Sequence, residues 1–219
     1  MNSSLRSRVL SFLVPSTLLL ALPAVGQEEG SGAGFSVGLR AGYGLPAGDA
    51  YDNSPLDDRF DGVIAPQIDV GYFLNRNVYL GVYGQVGFAQ INQDICPSTI
   101  ECDGRVLRFG VDVNYHVTTT GVFSPWLGLG VGYEIAEFEA SSGGISGSSS
   151  LQGMEFVHLQ GGLDFRLSPQ VWLGPYAMVT VGQYSRTSAR LGGAVVSRDI
   201  VDNGVHFWLQ PGLRLQVRL

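Results

Sequence analysis

Residues Val205 to Leu219 read VHFWLQPGLRLQVRL. Val205, Phe207, Leu209, Pro211, Leu213, Leu215, Val217 and Leu219 share one parity, and His206, Trp208, Gln210, Gly212, Arg214, Gln216 and Arg218 share the other. A period of two held over fifteen residues specifies a long strand with one apolar and one polar face. Strands of soluble sheets average about five to six residues, whereas a strand that crosses a bilayer needs about nine to eleven. The length and the two faces together predict a strand of a transmembrane barrel.

The same alternation recurs upstream. Phe35–Leu45 places Phe35, Val37, Leu39, Ala41, Tyr43 and Leu45 opposite Ser36, Gly38, Arg40, Gly42 and Gly44. Gly62–Leu74 turns Ile64, Pro66, Ile68, Val70, Tyr72 and Leu74 outward and Val63, Ala65, Gln67, Asp69 and Gly71 inward. Val78–Ala89, Arg105–Val117, Pro125–Ala136 and Phe156–Leu167 follow suit, while Val171–Ser185 is apolar on both faces and its facing stays open. With the closing strand this makes eight, and the predicted fold is all-β: an eight-stranded antiparallel up-and-down transmembrane β-barrel. Tyr43, Tyr72, Tyr115 and Tyr133 share the outward parity and are candidates for an interfacial aromatic girdle.

Connections alternate in length. Asn75–Asn77, Thr118–Ser124 and Ser168–Gln170 are short; Pro46–Asp61, Gln90–Gly104, Glu137–Glu155 and Arg186–Asn203 are long and polar. Outer-membrane barrels turn tightly on the periplasmic side and carry long loops outside, so both termini are expected in the periplasm. The third long connection is built around the Gly/Ser-rich Ser141–Ser150 and reads as a mobile loop.

Residues 1–26 carry Arg6 and Arg8, an apolar run from Val9 to Leu22 and a small-residue end at Ala24-Val25-Gly26. This pattern is that of a secretory signal peptide, which leaves 27–219 as the barrel domain beginning at Gln27. That domain has 11 arginines, no lysine and 19 acidic residues, a formal charge of −8, and nucleic acid is excluded as a partner.

Candidate chemistry is sparse. Cys96 and Cys102 are the only cysteines, lie in one long loop of an exported chain, and read as a disulfide rather than a metal site, since that loop holds no His. Gly128, Gly130 and Gly132 form G-x-G-x-G inside a strand with no following helix, which lacks the geometry of a nucleotide fingerprint. Asp49, Asp52, Asp57, Asp58 and Asp61 crowd the first long loop without EF-hand spacing and read as a solvated acidic surface, with divalent-ion bridging to lipopolysaccharide as the alternative. No pattern asks for a cofactor, a metal or a catalytic residue.

The inward charges form a predicted network. Counting from the periplasmic ends places Arg40, Asp69, Asp112 and Arg214 at one depth, so that two arginines meet two aspartates, with Asp164 as a substitute partner; Arg108 and Glu134 form a second pair higher up. An eight-stranded barrel has room inside only for its own side chains, and unpaired charges there are costly. These charges are therefore expected to plug the lumen.

The closing strand, with Leu213, Leu215, Val217 and Leu219 on one face up to the last residue, resembles the sorting and assembly signal of bacterial outer-membrane barrels, although Leu219 stands where that family usually has Phe. Over its whole length the mature chain resembles the small outer-membrane β-barrel family of Gram-negative bacteria typified by the OmpA membrane domain, OmpX and OmpW, without a following peptidoglycan-binding domain. The resemblance implies residence in the outer membrane among lipid and lipopolysaccharide, and handling by periplasmic chaperones and the barrel assembly machinery; it assigns no extracellular partner. The leading expectation is a non-enzymatic barrel, structural or surface-interacting through its long loops, and not a general porin. The alternatives are an OmpW-like conduit for small hydrophobic molecules, suggested by inward Tyr79, Tyr83, Trp126 and Trp208, and a lipid A-modifying enzyme. For the enzyme, His116-Val117-Thr118 alone approaches the His-x-Ser pair of a lipid A deacylase, and His116, His158 and His206 all have lumen parity.

Overall fold

The computed structural model describes residues 32–51, 53–92, 96–97, 100–117, 122–142, 145–191 and 194–219. The expected leader 1–26, the expected start at Gln27, and Asp52 lie outside the described residues. Among the described residues ten strands are formed: β1 (Gly34–Tyr51), β2 (Ser54–Pro55), β3 (Phe60–Phe73), β4 (Val78–Ile91), β5 (Glu101–His116), β6 (Phe123–Ser142), β7 (Ile145–Arg166), β8 (Val171–Leu191), β9 (Ala194–Asp199) and β10 (His206–Arg218). Eight of them, all but β2 and β9, close into an antiparallel ring in which β10 pairs with both β1 and β8. The seam is in continuous register, from Val37 opposite Val217 to Gly48 opposite His206.

Burial is inverted relative to a soluble protein. Leu213, Phe35 and Leu127 are 58%, 56% and 68% exposed, while Arg40, Asp69, Arg108, Glu134 and Arg214 are buried. A continuous apolar belt on this scale has no place in water; in a bilayer it is the face that lipid covers. Phe35, Tyr72, Tyr115, Phe123 and Phe165 stand in the belt near the short-turn end, with Phe35 and Tyr72 edge to face at 5.1 Å. Tyr43 sits at the opposite end, its hydroxyl donating to Gln90 at 3.0 Å.

The facing of β8, undecided from its sequence, is settled by registry: Gly174, Tyr176, Met178, Thr180, Gly182 and Tyr184 point inward and Leu173, Pro175, Ala177 and Val179 outward. Two expected long loops are replaced by hairpins. β6 and β7 stay paired from Ala136 opposite Leu151 up to Ser142 opposite Ile145, so the Gly/Ser-rich segment is largely strand. β7 also pairs with β8 up to Gly147 opposite Leu191, which satisfies the backbone of Ser148–Ser150 on both sides, and the Ser150 and Ser188 hydroxyls bond at 2.7 Å. β8 then turns back as β9. The first long connection folds inward instead: Leu56, with its amide bonded to the Gly48 carbonyl at 2.8 Å, is fully buried.

Candidate functional site

The inward faces of the eight ring strands meet in a filled lumen, organised in three polar layers beneath an apolar stopper. At the short-turn end Arg214 of β10 pairs with Asp164 of β7 through two nitrogens and lies 3.7 Å over the Trp126 ring. Arg218 stands between Phe73 and Trp172, at 4.4 and 4.5 Å from their centroids, and donates to His116 Nδ1 at 3.2 Å. His116 stacks on Trp126 at 6.0 Å. Guanidinium planes alternate with aromatic faces across the opening, a cation–π arrangement that is worth more the more the cation is buried.

In the middle layer Arg40 of β1 donates to Asp69 Oδ2 at 2.7 Å, lies 3.6 Å from Asp112, and bonds to Gln160. Gln160 in turn donates to Asp112 and Asn114 at 2.8 and 2.9 Å. Gln85 donates to its cross-strand neighbour Gln67 at 2.9 Å and across the lumen to Gln210 at 3.1 Å, and Gln210 donates to the Tyr176 hydroxyl at 2.7 Å. Such side-chain networks hold buried charge only when their members are satisfied together.

Above them Arg108 of β5 donates to Glu134 of β6 at 2.8 Å and lies 4.7 Å over Trp208. Glu134 also accepts from the Tyr184 hydroxyl and from Trp208 Nε1 at 3.2 Å. Beside this pair Glu155 accepts from Tyr83 at 2.9 Å and touches His158. The stopper follows, built from Leu56, Phe60, Val63, Val106 and Leu151 against Trp208.

The structure thus brings the seven inward charges into one lumen but distributes them differently from the two-against-two layer expected. Arg40 takes both Asp69 and Asp112, and Arg214 turns to Asp164. The stagger of neighbouring strands moves residues of equal count to unequal heights, and equal count was the only guide the sequence offered. Arg108 and Glu134 do meet, directly opposite in register.

Glu155 escaped the sequence reading because it was placed in a loop. Phe156 and Val157 both face outward across a register shift, so Glu155 and His158, three apart, both point in. The signal was present as two consecutive apolar residues between polar ones, which is how a β-bulge looks when one face must stay apolar.

The three glycines of β6 have a steric role. A Cβ at Gly128 would fall on the Asn114 amide, at Gly130 on the His158 ring and the Val111 carbonyl, and at Gly132 on the Tyr83 hydroxyl. They leave space for lumen side chains from β4, β5 and β7.

Cys96 and Cys102 form a disulfide with Cα atoms 6.2 Å apart. His116, His158 and His206 are each buried in the lumen wall. Among the described residues no group of three or more His, Cys, Asp or Glu is arranged to hold a metal ion. Of the acidic cluster, Asp57, Asp58 and Asp61 are exposed at the long-loop end.

A family model described as outer membrane protein beta-barrel domain matches residues 13–194. No curated protein matches the chain. Among solved structures, Neisserial surface protein A is similar at 18% identity and a TM-score of 0.52, over 85% of this chain and 99% of that one. A major outer membrane protein from Thermus thermophilus is similar at 15% identity and a TM-score of 0.54, over 84% of this chain and 99% of that one. OprG from Pseudomonas aeruginosa is similar at 16% identity and a TM-score of 0.50, over 85% and 97%. At these identities the likeness extends to the fold alone.

Proposed function

The chain belongs to the outer membrane protein beta-barrel domain family, and from that premise we propose that it is a sealed, non-conducting, non-enzymatic outer-membrane barrel that works through its long-loop end. The short turns then face the periplasm and the β6–β9 hairpins and Cys96–Cys102 loop face the exterior, as the alternation of connection lengths suggests. Residues 1–26 serve as the export signal, and the apolar face of Leu213, Leu215, Val217 and Leu219 serves in recognition by the assembly machinery.

The observation that carries the sealed lumen is the unbroken chain of paired side chains from Arg218 at one mouth, through Arg40 and Arg108, to Trp208 and Leu56 at the other. Removing any one member strands a buried charge or opens a void, so the filling is expensive to displace. The inward aromatics that favour a hydrophobic conduit are engaged in this filling: Trp126 under Arg214, Trp208 under Arg108, and Tyr83 on Glu155. Histidines enclosed in the same wall lack a path to lipid A.

Purified protein in planar bilayers tests the proposal. Little or no steady conductance is expected; large, stable channels from the monomer overturn it.

A further inference from the structure

The short-turn end of the barrel carries an excess of positive charge. Its described segments 32–37, 72–78, 114–117, 122–126, 162–173 and 214–219 hold four arginines and one carboxylate, Asp164, which is buried and bonded to Arg214. Arg76 and Arg166 are exposed and Arg218 is partly so, while no carboxylate side chain is exposed among these residues. Each of the three cations stands within two positions of an exposed apolar residue of the belt: Leu74 for Arg76, Phe165 and Leu167 for Arg166, and Leu219 for Arg218. A strand rises about 3.3 Å per residue, so the three stand at the border of the belt. There a long cationic stem lies along apolar surface and lifts its head into the polar layer.

Two of these cations are held close together. Arg166 and Arg218 lie 5.8 and 4.5 Å from the centroid of the same ring, that of Trp172, on strands separated by β8 alone. Arg218 comes within 3.8 Å of Asp164, but that carboxylate is already engaged by Arg214, and Arg166 donates to the Ser168 carbonyl at 3.3 Å. Neither Arg76 nor Arg166 stands in an ion pair among the described residues. Like charges fixed on one ring repel, and an anion between them relieves the repulsion. The planar fork of arginine takes a phosphate through two parallel hydrogen bonds. Excess fixed cation, free donors and a border with lipid together select a phosphodiester headgroup.

We propose that the short-turn end of the barrel binds anionic phospholipid through phosphate groups seated on Arg76, Arg166 and Arg218, and so selects the lipid of the leaflet it faces. Trp172 holds Arg166 and Arg218 in place, while Phe35, Tyr72 and Phe165 of the belt meet the acyl chains beside them. Free phosphate is a poorer occupant. It gains the same hydrogen bonds but none of the apolar contact that the flanking belt gives to an acyl chain. The inference rests on the reading that the belt spans the membrane with the short turns toward the periplasmic leaflet, which is built of phospholipid.

The full chain in phosphatidylcholine bilayers is probed with spin-labelled phosphatidylglycerol and spin-labelled phosphatidylcholine, and the immobilised fraction of each gives a ratio of association constants. A ratio of about five or more in favour of phosphatidylglycerol is expected, since one arginine near an anionic surface contributes about fivefold. Arg76→Gln and Arg166→Gln should each lower it, and the double variant should bring it near unity. Both side chains are exposed and pair with no described carboxylate, so heat-modifiable migration of the variants should match the parent and certify their barrels. A parental ratio of unity, or a double variant that keeps more than half of the preference, overturns the inference. Displacement of the labelled lipid by free glycerol phosphate assigns the arginines to a soluble anion and overturns it too. A preference that emerges only in the Glu28→Gln/Glu29→Gln variant gives the arginines to the chain's own acids, with the same result. The conductance measurement fails or succeeds independently: a silent barrel without lipid preference sinks this inference alone, and a conducting barrel that selects phosphatidylglycerol sinks the sealed lumen alone.

Discussion

Arg214 shows how much hangs on one side chain, since it neutralises Asp164 while lying on Trp126. Arg214→Ala leaves the buried Asp164 carboxylate with only the more distant Arg218, 3.8 Å away, so the loss should approach the about 3–5 kcal/mol of a fully broken buried pair without reaching it. The midpoint of urea unfolding in micelles should fall accordingly, and an unchanged midpoint would mean that the layer at the short-turn end contributes nothing. Gly130→Ala makes a different demand, because its methyl would fall on backbone as well as on His158. A loss of about 1–3 kcal/mol is expected in the same assay, as for other overpacked sites. The inward residues themselves were legible from parity. Their partners were not, because a pair such as Arg214 and Asp164, 50 positions apart, depends on how the ring staggers its strands.

Among the elements, β10 was the most legible and the β6–β7 hairpin the least. β10 alternates without a fault from His206 to Gln216 because one face meets lipid and the other a packed lumen. Leu213→Arg or Leu215→Arg places a cation on the lipid face, at about 2–4 kcal/mol near the midplane. Both variants should show reduced membrane levels and lose heat-modifiable migration; normal levels would count against the outward facing and against this face as an assembly signal. The hairpin was misread because Gly is depleted in strands and Ser offers little side-chain packing, whereas what holds Ser148–Ser150 is pairing with neighbours on both sides. Hydrogen exchange should find the amides of Ser148–Ser150 protected well beyond those of Asp57 and Asp58; equal exchange would return the segment to loop.

For the molecule as a whole, the disulfide and the ring are separable. Cys96–Cys102 spans a short stretch of one connection, and none of the lumen pairs passes through it. Reduction of the folded protein should therefore leave heat-modifiable migration unchanged, while a collapse of the barrel on reduction would show that the connection holds the ring. The number of ring strands and their closure followed from a period of two and from where the alternation breaks. The inward fold of Leu56 did not, since an apolar residue within an acidic loop carries no period to read.

The seam between β1 and β10 has one more consequence. β10, the last of the described strands, brings Arg214 to Asp164 and Trp208 to Glu134, acids that sit on β7 and β6. Until it arrives, both carboxylates lack these partners and the ring has two open edges. Closing the edges and giving Asp164 its arginine are thus a single event, and the barrel carries its own checkpoint: a molecule stalled before this strand is marked by an acid within it that has no arginine.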